Sequence, residues 1–203
     1  MFKDLSNKKS SELSFKEKLI LALYENAMMA ATGLVIVLLF YTFGFKIVAV
    51  DGSSMLPTLN HGDRLVVTAF CSEPEQGDVI ISTQPNYFGK SIVKRVIATE
   101  NQTVDIDFST GDVFVDGELL NEPYINNLTL NKDSLDFPVT VPDNHVFVMG
   151  DNRQGSTDSR SDKVGFIREE YIFGVAKLKI INFDKDRKEN KLRLIPFSEW
   201  KVE

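Results

Sequence analysis

The chain has 203 residues and a formal net charge of -6. This acidic balance argues against a nucleic-acid-binding protein, which normally presents a basic face, so no nucleic acid is expected as a partner. The single cysteine, Cys71, excludes an internal disulfide, and its turn-rich surroundings favour an ordinary residue over a reactive one. The two histidines lie far apart and lack the spacing of zinc ligands, so we expect no metal and no cofactor.

An uncharged apolar run extends from Ala27 to Phe45, AMMAATGLVIVLLFYTFGF. Its 19 residues, at about 1.5 Å per residue, nearly match the ~30 Å hydrocarbon core of a bilayer. A core helix of a soluble protein would show a polar stripe, and this run shows none. Tyr41 and Phe43 cluster with Phe45 at one end, as interfacial aromatics do. The run predicts a single transmembrane helix over residues 26–46.

A cleaved export signal is the competing interpretation of this run. Such signals have apolar regions of about 7–15 residues and end at a small-x-small cleavage site. Here the run is longer, and the following FGFKIVAVDG offers no Ala-x-Ala. We therefore interpret the segment as an uncleaved signal anchor in the cell membrane.

Lysines predict the orientation of this anchor, because positive charge is retained in the cytoplasm. Five lysines precede the predicted span and one follows it closely: Lys3, Lys8, Lys9, Lys16 and Lys18 against Lys46. Residues 1–25 are thus expected inside and residues 47–203 outside, although acidic residues before the span dilute the bias. Residues 13–24 show helical periodicity; they either lie along the inner membrane surface or extend the span.

Beyond the predicted anchor the sequence is typical of a β protein. Runs rich in Val, Ile, Phe and Thr alternate with turn residues, and long helical patterns are absent. These runs are FKIVAV, DRLVVTAF, GDVIIST, SIVKRVIA, TVDI, DVFVDGELL, HVFVMGDN and FGVAKLKIINF. Asp116-Gly117 predicts a two-residue hairpin, and the charged run 184–193 a solvated turn. The fold class expected is mostly β, with one N-terminal transmembrane helix and then antiparallel sheets packed against each other.

Two adjacent serines, Ser53 and Ser54, follow the first predicted strand in VDGSSMLPTLNHGD. A serine nucleophile needs a neighbouring base to take its proton. His61 lies in a turn and His145 opens a strand. A Ser-His-Asp site through His145 is conceivable, but nothing local supports it.

Lys94 is the alternative base, provided that apolar surroundings lower its pKa. In SIVKRVIA it shares a strand face with Ile92 and Val96, whereas Val93 and Arg95 face the other way. The pattern alone favours a surface or edge-strand lysine over a buried base.

A polar loop, GDNRQGSTDSR at residues 150–160, follows a predicted strand. In a catalytic site it could supply Ser156 to hydrogen-bond the lysine, and an Asp158–Arg160 pair to hold the loop. Otherwise it is an ordinary surface loop.

Three segments together resemble the signature boxes of bacterial type I signal peptidases in order and spacing: SMLPTL (54–59), VKRV (93–96) and GDNRQGSTDSR (150–160). GDVI (77–80) and GELLNEPY, which ends at Tyr124, extend the resemblance. Any one box is a weak signal, but several in order behind an N-terminal anchor are a strong one. The resemblance implies a β-rich catalytic domain against the outer membrane face.

The resemblance also implies a role for individual residues. Ser54 matches the nucleophile and Lys94 the general base of the family. Ser156 matches the serine that orients the lysine, and Asp158 and Arg160 match a structural ion pair that supports the site.

The implied substrates are preproteins, cut after small-x-small residues as they emerge from translocation. Membrane lipid and proximity to the secretion translocon are implied as well. Small side chains need shallow apolar pockets, and the substrate would add as a β-strand. The candidate pocket residues, by resemblance and apolar character, are Val48, Val50, Met55, Ile92 and Val93.

The sequence departs from the family pattern in two places. Some members carry a serine two positions before the nucleophile, where its hydroxyl helps to stabilise the oxyanion; here the residue is Gly52. The Ser54 N–H is then the remaining donor, with Gly52 contributing through backbone geometry or a water. After the lysine box, ATENQ (98–102) replaces Gly-x-Pro-Gly-Asp, which predicts an altered turn.

Three other functions compete with a signal peptidase. A catalytically silent relative could act as an assembly factor or chaperone for a dedicated exported surface protein, but such relatives lose the serine or the lysine. A self-cleaving repressor would need a DNA-binding domain where the apolar run stands. An anchored β-domain that binds a partner is the third. General secretion and a dedicated substrate both remain open.

Overall fold

The computed structural model describes residues 14–68, 73–83, 91–181 and 193–200. Several sequence predictions concern residues outside these ranges, namely Lys3, Lys8, Lys9, Cys71 and nearly all of the charged run 184–193. The chain divides into two compact units, Met1–Gly44 and Phe45–Glu203.

The described part of the first unit is an α-helix, α1, at Phe15–Phe43. At its N-terminus the Ser14 N–H donates to Glu17 Oε2 at 2.8 Å, which is one of the two hydrogen bonds of a capping box. The stretch Phe15–Leu39 is long and apolar enough to cross a membrane, and its apolar side chains are exposed. Residues 15–24 belong to the same continuous helix. This agrees with the second alternative for residues 13–24, in which they extend the span. The helix thus begins before the predicted residue 26 and ends before residue 46.

The second unit is built from antiparallel strands, with short 3₁₀ turns and no α-helix among its described residues. The strands are β1 Phe45–Ala49, β2 Arg64–Thr68, β3 Val79–Ser82, β4 Ile92–Ala98, β5 Thr103–Asp107, β6 Asp112–Val115, β7 Glu118–Leu119, β8 Val139–Thr140, β9 His145–Met149, β10 Ile167–Arg168, β11 Ile172–Ile181 and β12 Arg193–Pro196. The larger sheet has the order β1-β2-β11-β3-β4-β9-β10, and β12 also pairs with β11. The smaller sheet has the order β7-β6-β5-β8.

The predicted mostly-β fold is confirmed, and every predicted run contains a strand. Asp116 and Gly117 join β6 to β7 with φ values of 54° and 83°, the left-handed conformations that a two-residue hairpin of this kind requires. Strands β8, β10 and β12 were not predicted. The first two have only two residues each, too few for an alternating pattern to be visible.

Buried apolar side chains fill the space between the two sheets. Ile97 and Phe147 of the larger sheet pack in one cluster with Val104 and Val113 of the smaller sheet. This confirms that the sheets pack against each other. Each such side chain stabilises the fold by about 1.5–3 kcal/mol relative to exposure.

The larger sheet is buried on both faces around β3 and β4. Val79 and Ile81 of β3 belong to one core cluster, whereas the intervening Ile80 belongs to another on the opposite face. β4 lies between β3 and β9, so both of its edges are paired. A polar side chain on β4 is therefore placed inside the protein.

Candidate active site

The two predicted serines lie in the loop that connects β1 to β2. Two backbone hydrogen bonds join the ends of this loop: the Val50 N–H donates to Asp63 O at 2.8 Å, and the Gly62 N–H donates to Val50 O at 2.9 Å. The loop brings Ser54 to β4, where Lys94 Nζ lies 2.8 Å from Ser54 Oγ. The structure therefore brings together the two residues that the sequence proposed as nucleophile and base.

Lys94 is buried, with 5% of its surface exposed. Its Nζ donates a second hydrogen bond to Val93 O at 3.2 Å, and its cross-strand partner is Ile80. The pattern-based preference for a surface or edge-strand lysine is wrong, because β4 lies inside the sheet with both edges paired. Ile92, Val96 and Ile80 belong to one core cluster, in agreement with the predicted strand face.

Burial lowers the pKa of Lys94 from 10.5 to about 8, because the ammonium form loses its hydration. The carboxylates of Asp158 and Asp151 oppose this effect by raising the pKa, and the Arg160 guanidinium lowers it. A substantial neutral fraction therefore exists near pH 8. At 2.8 Å, a neutral amine can accept the proton of Ser54.

Neither histidine forms a hydrogen bond with Ser54. His61 Nδ1 accepts from the Gly52 N–H at 3.3 Å, and its side chain is exposed. His145 Nδ1 lies 2.7 Å from Asp143 O, also at the surface. The Ser-His-Asp alternative finds no support in this geometry.

Ser156 behaves differently from what the resemblance implies. Its Oγ is buried but has no hydrogen-bond partner among the described residues, so the expected bond to Lys94 is not formed. Ser156 nevertheless lies beside the nucleophile's backbone: a Cβ on Gly150 would overlap both Ser156 Oγ and Ser54 O. A glycine at position 150 allows this close approach.

Asp158 and Arg160 form the ion pair that the sequence predicted. Arg160 Nε and Nη2 donate to the two carboxylate oxygens of Asp158, each at 2.8 Å, and both side chains are buried. Asp158 Oδ2 also accepts from the Gly150 N–H at 3.0 Å, and Arg160 Nη2 also donates to Arg153 O at 2.7 Å. The bidentate pair thus fixes both ends of the polar loop.

A second buried ion pair, Arg95–Asp151, was missed by sequence reasoning. Arg95 Nε and Nη2 donate to Asp151 at 2.8 and 2.7 Å. Asp151 also accepts from Thr58 Oγ1 of the nucleophile loop, and the Arg95 guanidinium stacks 3.9 Å from the centre of the Tyr124 ring. The pair therefore connects the strand of the base to the loop of the nucleophile. An arginine next to Lys94 in the largely apolar run SIVKRVIA was the available signal.

A third ion pair, Arg153–Glu122, was also missed. Its side chains are almost completely buried, and Arg153 Nη1 donates to Glu122 Oε2 at 2.8 Å. The same Nη1 donates to Thr129 Oγ1 at 2.8 Å. This pair ties the GELLNEPY segment to the polar loop, but it touches neither Ser54 nor Lys94.

A cleft of about 310 Å³ opens beside the Ser54–Lys94 pair. All five residues predicted to bind substrate line it, namely Val48, Val50, Met55, Ile92 and Val93. Gly52 lines the cleft too, and its φ of +100° is one that residues other than glycine rarely adopt. Sequence reasoning missed further lining residues, Ala49, Asp51, Ser91, Gly155 and Thr157.

Known proteins similar to this chain are signal peptidases. Signal peptidase I S of Bacillus subtilis is 32% identical over 193 residues, which cover 90% of this chain and 100% of the relative. Probable signal peptidase I-1 of Synechocystis is 39% identical over 163 residues, or 75% of this chain and 79% of the relative. A crystal structure of a signal peptidase I from Enterococcus faecalis aligns with 28% identity and a TM-score of 0.42, covering 51% of this chain and 97% of the other.

The family described as Signal peptidase, peptidase S26, matches residues 23–181, which is most of the chain. The matched range contains Ser54, Lys94 and the polar loop at 150–160. The resemblance seen in the sequence is thereby confirmed, and the chain is a serine peptidase. It belongs to the signal peptidase family, peptidase S26, as a relative of the bacterial type I signal peptidases.

Proposed function

We propose that the chain is a membrane-anchored endopeptidase that removes N-terminal signal peptides from exported preproteins. In this proposal Ser54 is the nucleophile and Lys94 the general base. The observation that carries it is the 2.8 Å contact between Ser54 Oγ and the amine of a buried lysine. Relatives named signal peptidase I support the choice of reaction and substrate class.

The first half of the reaction forms an acyl-enzyme. Neutral Lys94 takes the proton of Ser54 while Ser54 Oγ bonds to the carbonyl carbon of the scissile peptide. The carbonyl oxygen becomes an oxyanion, and in this proposal the Ser54 N–H stabilises it. The Lys94 ammonium then gives its proton to the leaving nitrogen as the C–N bond breaks.

The second half hydrolyses the ester. Lys94, neutral again, accepts a proton from a water that attacks the acyl carbon. Collapse of the second oxyanion breaks the bond to Ser54 Oγ, which recovers a proton from Lys94. A single group therefore serves as base and acid in both halves, so its pKa controls the whole cycle.

The cleft supports a substrate with small side chains at the cleaved positions. Its volume of about 310 Å³ lies at the lower end of the usual range for ligand pockets. Val50, Met55 and Ile92 are buried, and they present apolar surface rather than hydrogen-bonding groups to the cleft. We propose that the substrate enters as an extended segment along β1 and β4.

Two features support attachment to lipid. Helix α1 is long and apolar enough to span a bilayer, and we place the span within it, with residues 1–25 largely cytoplasmic and the β domain outside. Within the β domain, Phe45 and Ile47 of β1 and Leu194 of β12 are exposed. Phe45 and Ile47 are at the start of the domain, where exposed apolar side chains suit contact with a membrane. Proximity to the secretion translocon remains part of the proposal.

No observation favours the alternative of an assembly factor or chaperone. The relatives are named as peptidases, and Ser54 and Lys94 are both present and in contact.

Cleavage of preproteins tests the proposal. The full-length chain, purified in detergent, would be incubated with several preproteins and the products read by mass spectrometry. We expect cuts after small-x-small residues, and a panel of substrates will separate a general enzyme from a dedicated one. Uncut preproteins, or equal cleavage by Ser54→Ala, would contradict the assignment.

A further inference from the structure

The backbone N–H of Ser54 is an unused donor in the cleft. Ser54 lines the cleft, and no described residue accepts a hydrogen bond from its N–H. Backbone donors of this kind stabilise oxyanions only when they point to the position that the oxygen will occupy. The direction of this one N–H therefore matters for the reaction.

The Ser53–Ser54 peptide unit sets that direction. The peptide is trans, so the Ser54 N–H points opposite to the Ser53 carbonyl across one rigid plane. Whatever holds Ser53 O thereby aims the Ser54 N–H. Two groups hold it: the Leu56 N–H at 3.2 Å and Asn152 Nδ2 at 3.1 Å.

Asn152 donates hydrogen bonds to the carbonyl oxygens of both Ser53 and Ser54. Its own N–H donates to Ser54 O at 3.0 Å, while its side-chain amide donates to Ser53 O. The orientation of the amide follows from chemistry, because Ser53 O can only accept and must face the NH₂ group. Asn152 Oδ1 in turn accepts a long hydrogen bond from Asn127 Nδ2 at 3.4 Å.

Gly155 leaves the space that this amide occupies. A Cβ on Gly155 would lie 2.5 Å from Asn152 Nδ2 and 3.0 Å from Asn152 Cγ, closer than side chains can approach. An alanine at position 155 would push the amide away from Ser53 O. This substitution would change neither the donor nor the acceptor of the hydrogen bond from the Asn152 backbone N–H to Ser54 O.

We propose that Asn152, in the space left by Gly155, is a positioning residue that aims the Ser54 N–H at the oxyanion. This inference rests on the proposed role of Ser54. It predicts that damage to the amide impairs stabilisation of the tetrahedral state more than substrate binding.

A peptide aldehyde and the matching peptide alcohol separate these two effects. Ser54 Oγ adds to the aldehyde carbon, the C=O π bond opens, and the Ser54 proton passes to Lys94, which leaves an oxyanion beside the Ser54 N–H. The alcohol fills the same cleft but forms no bond. The ratio of the two inhibition constants therefore measures stabilisation of the covalent oxyanion adduct.

The test uses full-length enzyme in detergent with Asn152→Asp and Gly155→Ala. The carboxylate of the first would face Ser53 O without a proton to donate, and the methyl of the second would displace the amide. In both we expect the aldehyde preference and kcat to fall about tenfold or more, because misaiming an oxyanion donor approaches the loss of one. Asn152 is not among the residues that line the cleft, so for Asn152→Asp we expect alcohol binding and KM to change by less than about twofold. Gly155 does line the cleft, so for Gly155→Ala the ratio of the two inhibition constants is the decisive quantity. The pH dependence of kcat/KM should keep its midpoint.

Asn126→Ala serves as the matched control. Asn126 lies nearby, its side chain is exposed, and its backbone N–H donates to Asp151 O. This variant should retain the wild-type ratio. If Asn152→Asp and Gly155→Ala also retain it, or lose aldehyde and alcohol affinity equally, the proposal is wrong and Asn152 is merely structural. If wild type itself shows no preference for the aldehyde, the nucleophile assignment fails, and this inference fails with it.

Discussion

Ser54 Oγ and Lys94 Nζ lie 2.8 Å apart although 40 residues separate them in the chain. The loop between β1 and β2 carries the serine, and a strand buried on both faces carries the lysine. The contact pairs a nucleophile with a base whose charge is disfavoured by burial.

The two adjacent serines should differ sharply in importance. The two serines lie at a bend and turn of the loop and both line the cleft, but only Ser54 contacts Lys94, whereas the Ser53 side chain is exposed. Ser54→Ala should therefore lose essentially all preprotein cleavage and remain folded, and Ser53→Ala should keep most of it. Both are measured in one detergent assay. A dead Ser53→Ala with an active Ser54→Ala would show that the wrong serine was assigned.

Activity should rise with pH through the pKa of Lys94. Its lowered pKa of about 8 means that deprotonation near this pH creates the active base, so kcat/KM of the free enzyme should climb and level off above it. The double variant His61→Gln, His145→Gln should keep the shape of this profile. Loss of activity in the histidine variant, with retention in Lys94→Ala, would transfer the role of base to a histidine.

The same buried lysine should make stability depend on pH. Below about pH 8 folded and unfolded chains both carry the charge, and the folded chain bears the cost of burying it. Between about pH 8 and 10.5 only the unfolded chain is charged, so the free energy of unfolding should rise with pH. The gain is roughly 3 kcal/mol, at 1.36 kcal/mol per pKa unit.

Lys94→Met should remove this dependence and raise stability at pH 7, as measured by denaturant unfolding at pH 7 and 10. Lys179→Met is the matched control, because Lys179 is also buried but pairs with Asp63 at 3.1 Å. Replacing it leaves a buried carboxylate unpaired, and stability should fall. A wild-type stability that stays flat between pH 8 and 10.5 would contradict the lowered pKa of Lys94.

Ser156→Ala should slow the chemical step while leaving the fold at least as stable. The hydroxyl is buried without a partner in this structure, so its removal costs no existing hydrogen bond. The family resemblance implies that it bonds Lys94 during catalysis, and one neutral hydrogen bond of about 0.5–1.5 kcal/mol corresponds to a few-fold to roughly tenfold loss in kcat. Unchanged kcat would remove Ser156 from the site.

The proposed topology is open to a protease test. With the N-terminus inside and the β domain outside, protease added to intact spheroplasts should digest the C-terminal domain and protect the N-terminal segment. Disrupted spheroplasts provide the control for protease access. The reverse pattern of protection would rule out both the orientation and the role in export.

Local patterns were sufficient for much of the fold. Runs rich in Val, Ile, Phe and Thr between turn residues predicted most strands, because these residue types favour extended backbone and their enrichment is visible within a short run. Asp116-Gly117 predicted a hairpin for a similarly local reason, the left-handed backbone that both residues adopt. The order of the motifs around Ser54, Lys94 and Ser156 pointed to the peptidase family before any contact was known.

Only the tertiary structure decided the state of Lys94 and the support of the nucleophile. The strand pattern favoured an exposed lysine, and it is the pairing of β4 with both β3 and β9 that buries the amine and lowers its pKa. The hydrogen bonds from Asn152 to Ser53 and from Thr58 to Asp151 span 99 and 93 residues. Residues so distant in sequence leave no shared periodicity to detect, because their proximity results from sheet packing and loop closure rather than from local backbone preference.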